Sequence, residues 1–169
     1  IKYADKPFIA APSGLAIGGG FEVVLHCDYN VAHTNVVLGL VESLVGLIPA
    51  GGGCKEMLWR WLQTPEGKEN SEHASMKVFD LIGYAITATS PNEALPNQFF
   101  LEKDKVVINR DRQLSTAIDL LNNIEGGYEK PSQPKFNLGG SAVRDKMFEK
   151  LEALYNLSLI HISEPTRRR

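Results

Sequence analysis

The spacing of apolar and polar residues divides the first part of this 169-residue chain into short strands and buried helices. An apolar run that closes in a Pro-Ser-Gly turn predicts a buried strand over 7–14. Glycines 18–20 then precede residues 21–27, which are apolar on every side and predict a helix inside the core. A second strand and turn are predicted over 29–35. The apolar run 36–49, interrupted by glycines, predicts loops and short helical turns packed inside the protein.

Beyond residue 50 the pattern becomes mainly helical. The predicted segments are, in chain order, a helix after glycines 51–53, a polar linker over 64–73, an amphipathic helix over 74–86, a helix that starts at the capping box of Ser90 and Glu93, a strand over 104–111, a helix over 113–127, a Pro/Gly linker over 128–140 and a last helix over 141–156. These elements predict an α/β fold with helices in excess.

The final stretch, 157–169, follows neither the helical nor the strand period. Its sequence "SLIHISEPTRRR" is similar to translated sequencing-adapter read-through, and we interpret 157–169 as a non-native tail rather than a native basic one. The chain also does not begin with Met. We therefore expect the natural protein to begin upstream of residue 1 and to continue past residue 156 with different residues.

Composition and charge argue against several classes of partner. A formal net charge of −2 gives no electrostatic reason to bind nucleic acid or an anionic membrane. Charges or glycines interrupt every apolar run, and "IKYADKPF" lacks the apolar core of a signal peptide, so no membrane span or signal peptide is expected. Cys27 and Cys54 belong to no CxxC pair or Cys/His set. We expect two reduced core thiols and no metal site.

Two isolated carboxylates carry the candidate chemistry. Glu22 lies in the first turn of the predicted apolar helix, where the helix dipole alone could account for it. Glu42, twenty positions on, is the only charged residue between Asp28 and Lys55 when histidine is counted as neutral. Two carboxylates in apolar surroundings are typical of an acid/base pair with tuned pKa values. A helix N-terminal N–H beside them suits a developing oxyanion.

The hypothesis that the glycine clusters bind phosphate has less support than the acid/base hypothesis. The first cluster lacks GxGxxG spacing, and Lys55 follows the second cluster at the wrong distance for a P-loop. An anion-binding helix start remains open for glycines 51–53.

From Lys6 to Met57 the sequence resembles the enoyl-CoA hydratase/isomerase (crotonase) superfamily. The resemblance rests on "KPFIAAPSGLAIGGGFEVVLHCD" followed by "LGLVESLVGLIPAGGG". It implies a partial crotonase-like ββα spiral over 1–127, followed by the linker and the C-terminal helix. The stretches "KEMLWRW", "YAITATSPNEA" and "LEKDKVVINRDRQL" are similar to one bacterial branch, multifunctional proteins in which a 3-hydroxyacyl-CoA dehydrogenase precedes a hydratase domain.

The resemblance also implies roles for individual residues. Gly19 matches the residue whose backbone N–H forms half of the oxyanion hole, and it would bind substrate together with Gly18. Glu22 matches the glutamate that activates water, and Glu42 the one that protonates C2 of the acyl chain. Retention of both glutamates favours a hydratase over an isomerase, which can manage with one.

Two departures from the family pattern follow. Leu40 and Val41 stand where Gln and Pro often precede the second glutamate, and the two residues are expected to alter the acyl pocket. The second oxyanion donor and most of the adenine pocket would lie before residue 1. We therefore expect the 169-residue polypeptide to be poorly folded or inactive.

The resulting hypothesis is an enoyl-CoA hydratase of fatty acid β-oxidation in the bacterial cytoplasm, converting trans-2-enoyl-CoA to 3-hydroxyacyl-CoA. Its partner would be the acyl-CoA substrate, with homo-oligomers formed through crotonase-type helices. No cofactor is expected in this chain, and NAD would be needed only if a dehydrogenase domain lies upstream. The alternatives are an isomerase, another thioester enzyme such as a hydrolase, and a non-catalytic acyl-CoA-binding or assembly domain.

Overall fold

The computed structural model describes residues 1–136 and 138–163. Its strands are β1 (Ile9–Ala10), β2 (Leu15–Ile17), β3 (Tyr29–His33), β4 (Val37–Gly39), β5 (Thr87–Ala88) and β6 (Lys105–Val107). Its α-helices are α1 (Gly19–His26), α2 (Gly53–Leu62), α3 (Pro65–Glu69), α4 (Ser71–Gly83), α5 (Pro91–Ala94), α6 (Gln113–Ile124) and α7 (Gly140–Ser163). Short 3-10 helices cover Glu42–Val45, Arg110–Arg112 and Glu125–Gly127.

The first half of the chain repeats a strand–strand–helix unit. β1, β2 and α1 form one unit, and β3, β4 and α2 form the next. The first strands of the two units pair in parallel within a sheet of order β1-β3-β6, while the second strands pair in parallel within a sheet of order β2-β4-β5. This arrangement confirms the predicted α/β class and the partial ββα spiral.

The core forms where α1 packs between the sheets and α2. Phe21 is fully buried, and its ring meets the ring of Phe99 edge-on with the centroids 5.0 Å apart. Leu25, Leu38 and Met57 are buried in the same cluster. Helix α1 buries Phe21, Glu22, Val24 and Leu25, whereas Val23 is 51% exposed, so the helix is less completely buried than its apolar sequence predicts.

Arg60 ties three segments of this core together. Although the residue is only 7% exposed, its guanidinium donates to the carbonyls of Leu25 (3.4 Å), Gln98 (3.1 Å) and Phe99 (2.9 Å). Leu25 lies in the last turn of α1, where carbonyls lack intrahelical partners and a cation is favoured. A buried charge is tolerated here because its donors are used.

The prediction for 36–49 is partly wrong. The segment includes strand β4, which the sequence did not reveal, and a 3-10 helix. Its later apolar side chains are exposed rather than packed inside, namely Leu44, Val45, Leu47 and Ile48. Strands β2 and β5 were also unpredicted, since strands of two or three residues carry almost no periodic signal.

The polar segment 64–73 is not a linker. It contains α3 and the start of α4, and each helix has a side-chain N-cap: Thr64 Oγ1 accepts from the N–H of Gly67, and Asn70 Oδ1 accepts from the N–H of Glu72, both at 3.0 Å. These caps satisfy N–H groups that have no helical acceptor. Helix α4 correspondingly ends at Gly83, so the predicted helix 74–86 began and ended too late.

The last predicted helix, 141–156, is present but longer. Helix α7 spans Gly140–Ser163 and so continues into the stretch interpreted as a non-native tail. Residues 164–169 of that stretch lie outside the described residues. Lys146 and Lys150 of α7 form ion pairs with Glu72 and Asp80 of α4. Within residues 1–136 and 138–163, no helix is both long and apolar enough to cross a membrane.

Candidate active site

The topology brings both candidate glutamates to one edge of the second sheet. Strands β2 and β4 are parallel neighbours, with Ile17 paired to Gly39 at their carboxyl ends. The N–H of Gly18 extends this ladder by donating to the carbonyl of Gly39 at 2.9 Å. Glu22 and Glu42 follow these strand ends. The carboxyl ends of parallel strands meet at the same edge of a sheet, where ligands of open α/β sheets bind.

The first glycine cluster forms the start of α1. Gly18 has φ of 55°, a left-handed conformation that favours glycine, and Gly19 is the first helical residue. As a first-turn residue, Gly19 has no intrahelical acceptor for its N–H, and a Cβ built at Gly19 or Gly20 meets nothing within 4 Å. One oxygen of the Glu42 carboxylate, Oε1, lies 3.5 Å from where a Cβ of Gly18 would stand. The open helix start and the Glu42 carboxylate are therefore adjacent.

The Glu22 carboxylate rests on the start of the other helix, α2. Glu22 is 9% exposed, and its Oε1 accepts the N–H of Gly53, the first residue of α2, at 2.8 Å. The positive end of the α2 dipole therefore faces this carboxylate. The anion-binding helix start left open for glycines 51–53 is occupied by the protein's own Glu22. The sequence alone had indicated only the dipole of α1, the helix that contains Glu22.

The Glu42 carboxylate contains an oxygen that lacks a protein partner. Glu42 is half-buried at the start of a 3-10 helix, and its Oε2 is buried without a hydrogen-bond partner in the described part of the chain. An unsatisfied buried acceptor costs ~1–3 kcal/mol, so such atoms are uncommon in native proteins. An acceptor held in this way is suited to exchange a proton with a ligand.

The negative charges of both carboxylates act on the same cysteine, Cys54. Burial raises the pKa of Cys54, and the negative charges of Glu22 and Glu42 raise it further. Cys54 lies in the first turn of α2, next to Gly53, whose N–H donates to Glu22. The structure thus brings together the two carboxylates that the sequence paired.

Comparisons with known proteins agree with this geometry. The sequence model of the enoyl-CoA hydratase/isomerase family matches residues 1–69. The chain is 37% identical over 141 residues to a probable 3-hydroxyacyl-CoA dehydrogenase of Bacillus subtilis, a match that covers 83% of this chain and 18% of that protein. Over 57 residues it is 46% identical to a peroxisomal bifunctional enzyme of Danio rerio, covering 34% of this chain and 8% of that enzyme.

A solved structure extends the match to the fold. An enoyl-CoA hydratase from Polaromonas superposes with a TM-score of 0.55 at 28% identity, over 73% of this chain and 42% of that one. Residues 1–69, which contain both glutamates, match the enoyl-CoA hydratase/isomerase family, and the fold is that of the crotonase superfamily. The chain spans less than a fifth of the length of these two relatives and 42% of the solved hydratase. Similarity to the 3-hydroxyacyl-CoA dehydrogenase fits the bacterial branch suggested by residues beyond Met57.

Leu40 and Val41, the unusual pair for this family, occupy different environments. Leu40 is 2% exposed, and its methyl carbons stand 2.8 and 2.9 Å from the position that a Cβ of Gly53 would take. Val41 is half-buried and precedes the 3-10 helix that starts at Glu42. Leu40 thus packs between the second sheet and the start of α2. Its predicted effect on the acyl pocket, with that of Val41, stays a prediction.

A buried cluster of charged side chains surrounds Glu56 in helix α2. The sequence alone did not reveal this cluster. Glu56 of α2 is 1% exposed and forms ion pairs with Lys2 and with Lys55, the latter at 2.7 Å, while His26 Nε2 lies 3.6 Å from it. Burial acts to raise the pKa of Glu56, but the hydrogen bonds and charges of Lys2 and Lys55 outweigh it and lower the pKa below 4.5. The cluster fixes the first turns of α2 against α1 and the N-terminal segment.

We expect the contribution of Glu56 to stability to depend on pH. Because the folded pKa is lowered, the contribution is complete above the unfolded value of 4.5 and is lost as the pH falls through the folded pKa. The difference in unfolding free energy between the wild type and Glu56→Gln should therefore shrink from about pH 7 to about pH 3. Urea titrations at several pH values test this. The exposed Glu69→Gln is the control, and a pH-independent difference for Glu56→Gln would contradict the assignment.

A large cavity in the described part of the chain is separate from the glutamates. Its volume is about 1070 Å³, and its wall includes Leu25–Tyr29 at the end of α1, Trp59 and Lys103. Neither Glu22 nor Glu42 lines it. The carboxylates lie instead beside the helix starts at the other end of α1.

The two cysteines are half-buried, not core residues as predicted. Burial, with a smaller effect of the Asp28 charge, raises the pKa of Cys27 to about 11. The Cys27 thiol donates a hydrogen bond to the carbonyl of Val23 at 3.4 Å. A thiol with so high a pKa is a poor nucleophile at neutral pH. Within 1–136 and 138–163, no group of three or more His, Cys, Asp or Glu side chains is arranged to hold a metal ion.

Proposed function

We propose that the chain is the part of an enoyl-CoA hydratase that carries its acid/base pair. The intact protein, meaning the natural polypeptide that contains these residues, would add water across a trans-2-enoyl-CoA to give a 3-hydroxyacyl-CoA, as in fatty acid β-oxidation. The observation that carries the proposal is the placement of two carboxylates beside two helix starts. One, Glu22, is held by a backbone N–H, and the other, Glu42, keeps a buried oxygen without a partner in the described residues.

This placement suits addition of water to a carbonyl-conjugated double bond. The N–H of Gly19 would donate to the thioester oxygen and stabilise the negative charge that develops there. Glu22 would orient water and accept a proton from it as the water oxygen bonds to C3. Glu42 would transfer a proton to C2, so that the net change is the addition of one water. The exposed start of α1 leaves room for the thioester to approach the backbone.

The proposal explains why two carboxylates are present. An isomerase that shifts the double bond needs one group to move a proton, whereas hydration requires handling of the water at C3 and of the proton at C2. A hydrolase would direct the water to the thioester carbon instead. A non-catalytic acyl-CoA-binding or assembly domain would not need Glu42 to remain a half-buried carboxylate with an unsatisfied oxygen.

Replacement of Glu42 by Gln in the intact protein should lower crotonyl-CoA hydration by ~10²–10⁴-fold, since the proton donor to C2 is lost while the side-chain shape is kept. Absorbance of the enoyl thioester measures the rate, and calorimetry measures acyl-CoA binding, which should persist. Glu69→Gln on exposed α3 is the matched control. A variant that keeps wild-type hydration would contradict the role of Glu42. A wild type that moves the double bond without adding water would favour the isomerase.

We also propose that the 169-residue polypeptide is inactive when made alone. Within the described residues, Gly19 supplies a single candidate oxyanion donor, whereas the family site pairs two. The second donor would come from the part of the intact protein that this chain does not include. NAD would enter only through a dehydrogenase domain elsewhere in the intact protein.

A further inference from the structure

The second glycine cluster lies directly against the carboxylate of the first motif. The main chain at Gly51 passes so close to Glu22 that a Cβ there would collide with Oε2 and stand 2.9 Å from the carboxyl carbon. The φ of Gly51 is not in the left-handed region. Space, rather than backbone conformation, is therefore what requires glycine at this position.

Two neighbouring contacts fix this approach. At Gly53 the N–H bonds to Glu22 Oε1, and at Gly52 a Cβ would stand 2.7 Å from the His26 ring. That ring in turn donates through Nδ1 to the carbonyl of Glu22 at 2.7 Å. The side chain and the carbonyl of Glu22 are thus both tied to the region where α2 starts.

We propose that Gly51 and Gly53 are positioning residues that hold the Glu22 carboxylate in its working orientation. Gly53 engages Oε1, and Gly51 leaves the space that Oε2 needs. Among the described residues the hydrogen bond to this carboxylate is made to Oε1, which leaves Oε2 for the water. The catalytic meaning of this inference rests on the proposed function, but the contact itself can be tested without activity.

The contact is tested by NMR on the intact protein with ¹⁵N-labelled glycine. If Gly53 donates to Glu22, its amide proton resonance shifts as the Glu22 carboxyl is titrated, because a carboxylate is a stronger acceptor than a carboxylic acid. The shift should be absent in Glu22→Gln. The amide of Gly83, at the end of α4, is the internal control. A Gly53 amide that does not follow the titration of Glu22 would overturn the proposal.

Kinetics in the intact protein test the positioning role. Gly51→Ala should lower kcat by ~10²-fold, since displacing a reacting group by about 1 Å has effects of that size. KM should change by less than about threefold, because the binding groups are untouched. In a Glu22→Ala background, where no carboxylate can be displaced, Gly51→Ala should change the residual rate by less than about twofold.

A control variant and three possible results distinguish a failure of the positioning role from a failure of the proposed function. Gly83→Ala adds a methyl group at a helical glycine with nothing within 4 Å and should leave kcat unchanged. A Gly51→Ala variant with wild-type kcat would refute the positioning role, and an equal loss in the Glu22→Ala background would show a purely structural effect. If Glu22→Gln itself keeps full hydration activity, the proposed function fails while the amide titration still decides the contact. If Gly51→Ala does not fold, that titration in the wild type is decisive.

Discussion

Glu22→Gln in the intact protein should lower the kcat of crotonyl-CoA hydration by ~10²–10⁴-fold. Glutamine keeps the size of the side chain and can still accept the Gly53 N–H, now 2.8 Å from Oε1. It cannot take a proton from water. Because the carboxylate is buried at the start of α2, no bulk solvent base can replace it efficiently. The loss should therefore appear in kcat, with little change in KM.

Glu69→Gln is the matched control for this variant as well, because Glu69 is an exposed residue of α3. Circular dichroism and the unfolding midpoint establish that both variants fold like the wild type. Rates of enoyl-thioester loss are then compared at saturating substrate. A Glu22→Gln enzyme within tenfold of the wild type would exclude Glu22 as the base.

Phe21→Ala should reduce the unfolding free energy of the domain that contains these residues, measured in the intact protein, by about 3–5 kcal/mol. The ring is fully buried and lies edge-on to Phe99. Its removal loses the transfer free energy of the aromatic ring, leaves a cavity between α1 and the core, and removes an aromatic pair worth about 0.5–1.5 kcal/mol. Few single substitutions outside the core cost as much.

Val23→Ala is the control for Phe21→Ala, because it lies on the same helix and is 51% exposed. It should change the unfolding free energy by less than about 0.5 kcal/mol. Urea unfolding followed by tryptophan fluorescence suits the test, since Trp59 and Trp61 lie on α2, which packs against α1. Similar small effects for both variants would contradict the placement of Phe21 in the core.

The sequence was most informative where local pattern and chemistry coincide. The apolar stretch after glycines 18–20 predicted α1 as a core helix, and four of its residues are buried, although Val23 is exposed. The isolation of Glu42 in an apolar run indicates it as a candidate partner for Glu22, and the two residues follow the ends of neighbouring parallel strands. Both inferences depend on residues close together in the chain.

What the sequence could not provide depends on distant contacts or on very short elements. The hydrogen bond from Gly53 to Glu22 links residues 31 positions apart, and the ion pair of Lys2 with Glu56 links residues 54 apart. The second glycine triplet, residues 51–53, was a sequence signal for an anion-binding helix start. Only the packed structure shows that Gly53 of this triplet binds the Glu22 carboxylate. Helix α3 was missed because its polar composition outweighed a Thr64 cap followed by proline, a pattern that does indicate a helix start.

The central claim is that the intact protein adds water to C3 of an enoyl thioester, and isotope labelling tests it most directly. Crotonyl-CoA is incubated with the protein in ¹⁸O-labelled water, and the products are identified by mass spectrometry. Hydration predicts 3-hydroxybutyryl-CoA with the label on C3 and with the thioester intact. An unlabelled thioester product, or label found only in a free carboxylic acid released from CoA, would contradict the account.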